Sequence, residues 1–251
     1  MPLVVANGTA LNAVELGRGP GVVMLHGLFV GSSASWYFTS APALARRRRV
    51  LLYDLRGHGR SARPATGYDT ATLAGDLGAL LDALGWRQPV ALVGHSYGAL
   101  VALRFALDRP DRVEKLALVE APVPPSGLPD LQMFLALGPE SMAEALPEAL
   151  RRSLDRHGRQ AERLLAALRG LTFSTSLLRD VQAEPDIPDE RLATLRGPLL
   201  AYGARSSCLD AGRRLARVIP GAKLVVLPGG HYLHLDAAAA LTGAIEAFLD
   251  G

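Results

Sequence analysis

The apolar positions of this chain fall into short continuous runs, separated by longer stretches in which they recur at helical spacing. Leu3 to Ala6 and Ala10 to Leu16 are short runs joined around Asn7-Gly8, a dipeptide that favours two-residue hairpin turns, so an antiparallel pair is expected there. Arg18-Gly19-Pro20-Gly21 reads as a loop. Six further runs read as strands, at 21–25, 50–53, 89–93, 113–119, 199–202 and 223–227. Helical patterns lie between them. Residues 33–45 place Trp36 and Leu44 on one side, and residues 70–84 place Leu73, Leu77, Leu80, Leu81 and Leu84 at helical spacing. Residues 99–107, 210–218 and 236–249 read as further helices.

Strands alternating with helices imply an α/β fold: a mostly parallel sheet flanked by helices on both faces. Sites in such sheets lie beyond the carboxyl ends of the strands. His26, Asp54, Ser96, Glu120 and His231 all fall at strand ends in this reading, which is the physical argument that they share a site. The alternation breaks between about Ala121 and Arg196, where helical stretches near 128–137, 141–155, 159–168 and 174–181 are separated by prolines and glycines. This divides the chain into a core, 1–121 and 197–251, and an inserted helical cap, 122–196. The arginines of the cap are expected in solvent. Its apolar positions, Met133, Phe134, Leu137, Met142 and Phe173, are candidate walls of a substrate pocket, with His26 and Trp36 on the core side.

Gly94-His95-Ser96-Tyr97-Gly98 sits between the third of these six runs, 89–93, and the helix at 99–107. A strand that turns into a helix within so few residues cramps the backbone at the serine, and the flanking glycines remove the Cβ atoms that would clash. The hydroxyl is then held out at a helix N-terminus, where backbone N–H groups favour developing negative charge. In a chain with 26 glycines the Gly-x-Ser-x-Gly spacing alone is a modest signal; in its strand–turn–helix setting it is a strong one.

Composition narrows the classes. The chain has 251 residues, 49% of them apolar, enough for one sizeable domain with an insertion. Acidic residues number 24 against 27 basic ones, so no nucleic-acid partner is expected. The run Arg46 to Arg49 reads as a solvated helix end. A single cysteine, Cys208, excludes an intrachain disulfide and a cysteine metal cluster. The histidines lack metal spacing, and no phosphate loop is present, so neither metal nor cofactor is expected. No signal peptide and no membrane-spanning run is apparent, so a soluble cytoplasmic protein without a membrane partner is the expectation.

His26-Gly27, Asp54-Leu55-Arg56-Gly57-His58-Gly59-Arg60-Ser61, Gly94-His95-Ser96-Tyr97-Gly98 and Gly230-His231 together resemble the α/β-hydrolase family, in the family's order and across the chain outside the cap. The resemblance implies Ser96 as nucleophile, His231 as base and an acid, in the chain order Ser, acid, His. It implies an oxyanion hole from the backbone N–H groups of Tyr97 and of Leu28 or Phe29. His26 then orders the loop, Asp54 is structural, and His234 is the second choice for the base. The family commonly carries an aspartate three or four residues after the glycine ending the penultimate strand. Here Gly203 is followed by Ala204-Arg205-Ser206-Ser207. Two replacements are available. Glu120, ending the strand after the nucleophile helix, is preferred, because a buried carboxylate there needs a partner such as histidine; Asp210, at the start of a helix, is the alternative.

The implied activity is a serine hydrolase acting on a small-to-medium apolar carboxylic ester or thioester through an acyl-enzyme. Carbon–carbon bond hydrolysis or perhydrolysis with the same three residues is an alternative. A non-hydrolytic lyase or cyclase, or a small-molecule binding protein on the same fold, is another.

Overall fold

The computed structural model describes residues 3–28, 31–124 and 158–251. Eight strands in it form one sheet: β1 Leu3–Ala6, β2 Thr9–Leu16, β3 Gly21–Leu25, β4 Arg49–Tyr53, β5 Val90–His95, β6 Val113–Val119, β7 Leu199–Gly203 and β8 Lys223–Leu227. Their order across the sheet is β1-β2-β4-β3-β5-β6-β7-β8. The hairpin is antiparallel, as Asn7-Gly8 predicts, with positive φ at both turn residues (48° and 71°). β2 also runs antiparallel to β4, and every later pairing is parallel.

Strand alternation explains how the sheet is covered twice. Val23 and Leu25 of β3 face one core with Leu77, Leu80, Leu100 and Leu103. Val22 and Met24 face the other with Trp36, Leu44, Leu241 and Ile245. The first layer is built by α3 Thr70–Ala83 and α4 Tyr97–Asp108, and the second by α1 Ala34–Tyr37 and α2 Ala41–Leu44 with helices from the C-terminus. Asp69 caps α3 by accepting the N–H of Thr72 at 2.8 Å. Between β6 and β7 the described residues form α5 Gly158–Phe173, α6 Leu177–Gln182 and α7 Asp189–Leu192. The predicted helical stretches 128–137 and 141–155 lie outside the described residues. The rest is α8 Leu209–Val218, α9 Leu233–Asp236 and α10 Ala238–Asp250.

Three expectations change. Residues 33–45 form two short helices, because Pro42 has no N–H to give to Phe38, where a continuous helix would need that bond. The closing helix begins two residues later than expected: Ala237 departs from helical geometry (φ −139°), and the Asp236 carboxylate is turned back to accept the N–H of Gly230 at 2.8 Å. The arginine run is not simply solvated. Arg48 is buried and donates to the Leu249 carbonyl and the Asp250 carboxylate, both at 2.7 Å. With Lys115, which donates to the carbonyls of Phe248 and Leu249, it places two cations on the C-terminal end of α10.

Four buried histidines set the response to acid. Burial lowers the pKa of His26, of His58 to about 3, of His95, and of His234 to about 4. Each binds its proton less readily folded than unfolded, so stability is full above the unfolded value of 6.5 and is lost as pH falls toward the folded values. Urea unfolding midpoints should therefore fall steadily from pH 6.5 to about 4. His234→Gln, which does not titrate, should flatten that dependence by on the order of 3 kcal/mol at its acid end.

Candidate active site

The passage from β5 into α4 leaves no room for side chains beside Ser96. A Cβ on Gly94 would lie 2.4 Å from the Gly98 carbonyl oxygen, and one on Gly98 would lie 2.3 Å from the His26 carbonyl oxygen. Ser96 itself takes φ 54° and ψ −123°, outside the regions open to most L-residues, and its N–H is anchored on the Val119 carbonyl at 2.9 Å. Its Oγ lies 2.9 Å from Nε2 of His231, which comes from the loop after β8.

The other ring nitrogen of His231 faces Glu120. Nδ1 lies 3.3 Å from Glu120 Oε2. Glu120 follows β6, is fully buried, and also has positive φ (55°). Its carboxylate is held from two more directions: the Gly203 N–H donates to Oε1 at 2.5 Å, and the Ser206 hydroxyl donates to Oε2. The Cys208 N–H donates to Ser206 Oγ at 3.0 Å, which leaves the Ser206 proton directed at Glu120. The Cys208 sulfur lies 3.5 Å from His231 Nδ1. Burial opposes a charge on His231, but hydrogen bonds to Cys208 and Glu120, with their charges, outweigh it and raise its pKa to about 9. His95 Nε2 lies 2.8 Å from the His231 carbonyl oxygen, so the residue next to Ser96 ties down the loop that carries His231.

The remaining predicted residues divide clearly. Asp210, the alternative acid, lies in the first turn of α8 with 89% of its side chain exposed, paired with Arg213 at 2.7 Å. It is a surface residue, and the structure does not bring it to His231. His26 and Trp36 were expected in the pocket wall, yet both are fully buried. His26 Nε2 accepts the Leu55 N–H at 3.0 Å, so Nδ1 carries the proton and donates to the Gly27 carbonyl at 2.7 Å. Trp36 donates to the Leu25 carbonyl at 3.0 Å. Both brace the end of β3 from within the packed core. Asp54 accepts from the backbone N–H groups of Ser33 and Arg60 and from Asn12, and so organises its loop. His234 is buried against His95 and Trp36, with ring centroids 4.6 Å and 5.6 Å away.

For the oxyanion hole, Tyr97 is the first residue of α4, where a backbone N–H has no carbonyl of a preceding turn to meet. Gly27 presses against Ser96, since a Cβ there would lie 3.1 Å from the serine Cβ, and Leu28 follows it. Phe29, Met133, Phe134 and Leu137 lie outside the described residues. Sequence reasoning did not single out Ser206 or Cys208 as neighbours of the acid and base. Ser206 stands three residues after Gly203, where the family resemblance places an aspartate, and that was the available signal.

A family model described as the alpha/beta hydrolase fold matches residues 20–186. A Caulobacter sp. (strain K31) protein named "Putative carbamate hydrolase RutD" is 34% identical over 249 residues, 92% of this chain and 90% of its own. The mouse sn-1-specific diacylglycerol lipase ABHD11 is 32% identical over 253 residues, covering 92% of this chain and 81% of its own. Among solved structures, Est816, described as an N-acyl homoserine lactone degrading enzyme, superposes with a TM-score of 0.80 at 26% identity, covering 98% of this chain and all of its own. The enol-lactonase from Burkholderia xenovorans LB400 gives 0.77 at 25% identity over the full length of both chains.

The geometry separates the two acid candidates experimentally. Labelling of Ser96 by a fluorophosphonate, followed by intact mass, should slow about 10²- to 10⁴-fold in Glu120→Gln and stay near the parent rate in Asp210→Asn. Ser206→Ala should slow it about tenfold, the rate equivalent of one hydrogen bond to a charged group.

Proposed function

Because the chain belongs to the α/β-hydrolase family, we propose that it is a serine hydrolase of small-to-medium apolar carboxylic esters or thioesters. The observation that carries this reading is the continuous line from Ser96 Oγ to His231 Nε2 and from His231 Nδ1 to Glu120, at 2.9 Å and 3.3 Å. Ser96 attacks the acyl carbon as Nε2 takes its proton, and Glu120 holds the ring in the tautomer that leaves Nε2 free. The oxyanion points at the N–H groups of Tyr97 and Leu28. The imidazolium gives its proton to the leaving alcohol or thiol. Water, deprotonated by the same nitrogen, then releases the acid and restores Ser96.

In this reading the segment 122–196 serves as a cap over the strand ends. A carbamate or a lactone, named for the relatives above, presents the same acyl carbon to the same serine. His231 acts as base only when neutral, so turnover should rise as pH rises through its deprotonation.

The test is hydrolysis of a p-nitrophenyl ester series, from short to medium acyl chains. The chain should turn over members of the series, and Ser96→Ala should lose at least about 10³-fold in kcat while remaining folded by circular dichroism. A folded parent protein that hydrolyses none of them would overturn the ester reading. Assays of a carbon–carbon substrate or a lyase reaction would then take its place.

A further inference from the structure

The inner edge of His231 has two neighbours, and only one of them is needed to orient a base. Nδ1 of His231, Sγ of Cys208 and a carboxylate oxygen of Glu120 all lie within 4.8 Å of one another. The separations are 3.5 Å from Sγ to Nδ1 and 3.3 Å from Nδ1 to Oε2. A tetrahedral zinc ion with a Zn–S bond of about 2.3 Å and Zn–N and Zn–O bonds of about 2.0–2.1 Å requires sulfur–nitrogen and sulfur–oxygen edges of about 3.5 Å and a nitrogen–oxygen edge of about 3.4 Å; the sulfur–nitrogen and nitrogen–oxygen edges match, and the sulfur–oxygen edge lies within 4.8 Å. The three side chains come from the end of β6, the start of α8 and the loop after β8, so sequence spacing gives no sign of the cluster.

We propose that Glu120, Cys208 and His231 form a binding site for a zinc-like divalent cation, and that its occupation switches the enzyme off. The effect on turnover rests on the function proposed above; the binding does not.

Three arguments support the choice of ion. Thiolate, imidazole and carboxylate together suit zinc and its borderline-soft neighbours, whereas magnesium and calcium take oxygen ligands. The charges also balance. One thiolate and one carboxylate offset a divalent ion, so a neutral centre is formed where Glu120 and Cys208 are buried. Finally, the surroundings are arranged as a support. Gly203 N–H holds Oε1, which leaves Oε2 toward the cluster, and Ser206 links the carboxylate to the Cys208 backbone. His231 keeps 29% of its side chain exposed.

Binding interferes with catalysis through the tautomer. The Cys208 thiol releases its proton to solvent as the metal–sulfur bond forms. Metal on Nδ1 uses the lone pair there, so the proton of the neutral ring must sit on Nε2. That nitrogen then donates toward Ser96 Oγ and can no longer accept its proton. The ion is an inhibitor that occupies the back of the base, and the hydrolytic reaction itself uses no metal.

The probe is cobalt(II), which reports thiolate ligation by a charge-transfer band in the near ultraviolet. Chelator-treated full-length protein should develop that band with one ion per chain, and zinc should displace it. Cys208→Ala and Cys208→Ser, each shown to be folded by circular dichroism, should lack it. In parallel, zinc should reduce ester turnover reversibly on chelation. Each variant, compared with its own uninhibited rate, should need at least about tenfold more zinc for the same loss. A parent protein without the thiolate band, or zinc inhibition equal in parent and variants, would overturn the proposal. The cobalt band requires no turnover, so it decides the site even if the ester reading fails.

Discussion

Crowding between β5 and α4 is the constraint from which the site follows. The chain turns back so tightly that carbonyl oxygens of Gly98 and His26 occupy the places of the missing Cβ atoms of Gly94 and Gly98. Ser96 is left in a sparsely populated backbone conformation that costs on the order of 1–3 kcal/mol. Surrounding order offsets that cost. β5 pairs with β3 on one side and β6 on the other, its residues are buried throughout, and the Ser96 N–H closes on the Val119 carbonyl. The hydroxyl therefore has one direction available, outward beyond the strand ends. Parallel pairing brings the end of β6 beside it, and the β7–β8 pair carries the loop of His231 to within reach.

The same burial that fixes these strands explains the unusual concentration of neutral histidines. His26, His95 and His234 stand around the strand ends with little or no exposure. His26 and His95 each have a ring nitrogen 2.7–2.8 Å from a backbone carbonyl oxygen, and His234 packs edge-on against His95. Their lowered pKa values keep them uncharged beside His231, whose own pKa is raised by a carboxylate and a thiol. A second imidazolium next to His231 would repel the charge that forms when it takes a proton. Packing thus separates one titrating ring from several silent ones of the same chemistry.

The strands were legible because burial on both faces writes itself as a continuous apolar run; 21–25 and 199–202 fall on β3 and β7, whose residues are almost all buried. Ser96 and His231 were legible from local motifs, since tight turns demand glycine at fixed offsets. Helix continuity was less so: Pro42 was visible in the sequence, but the apolar spacing across 33–45 masked its effect. Arg48 read as one of four exposed arginines, because its burial depends on the end of α10, some 200 residues away in sequence. His26, at a strand end, and Trp36, on the apolar side of a predicted helix, read as pocket residues. Their polar atoms turned instead to backbone groups inside the core, a contact that no spacing encodes. Cys208 beside His231 is of the same kind.

The position of the acid depends on what else can share its space. A carboxylate at Ser206, three residues beyond Gly203, would lie against Glu120, since the Ser206 hydroxyl already touches Oε2. Two buried carboxylates at that distance cannot both ionise, so one would hold a proton and the orientation of His231 would become ambiguous. A serine at this position avoids the conflict and contributes a donor. It accepts from the Cys208 backbone, gives its proton to Glu120, and so completes a set of three donors around a carboxylate with no access to water. Glu120 and Ser206 are therefore one arrangement rather than two independent choices. Ser206, where the resemblance expects an acid, complements the carboxylate of Glu120, placed one strand earlier in the chain.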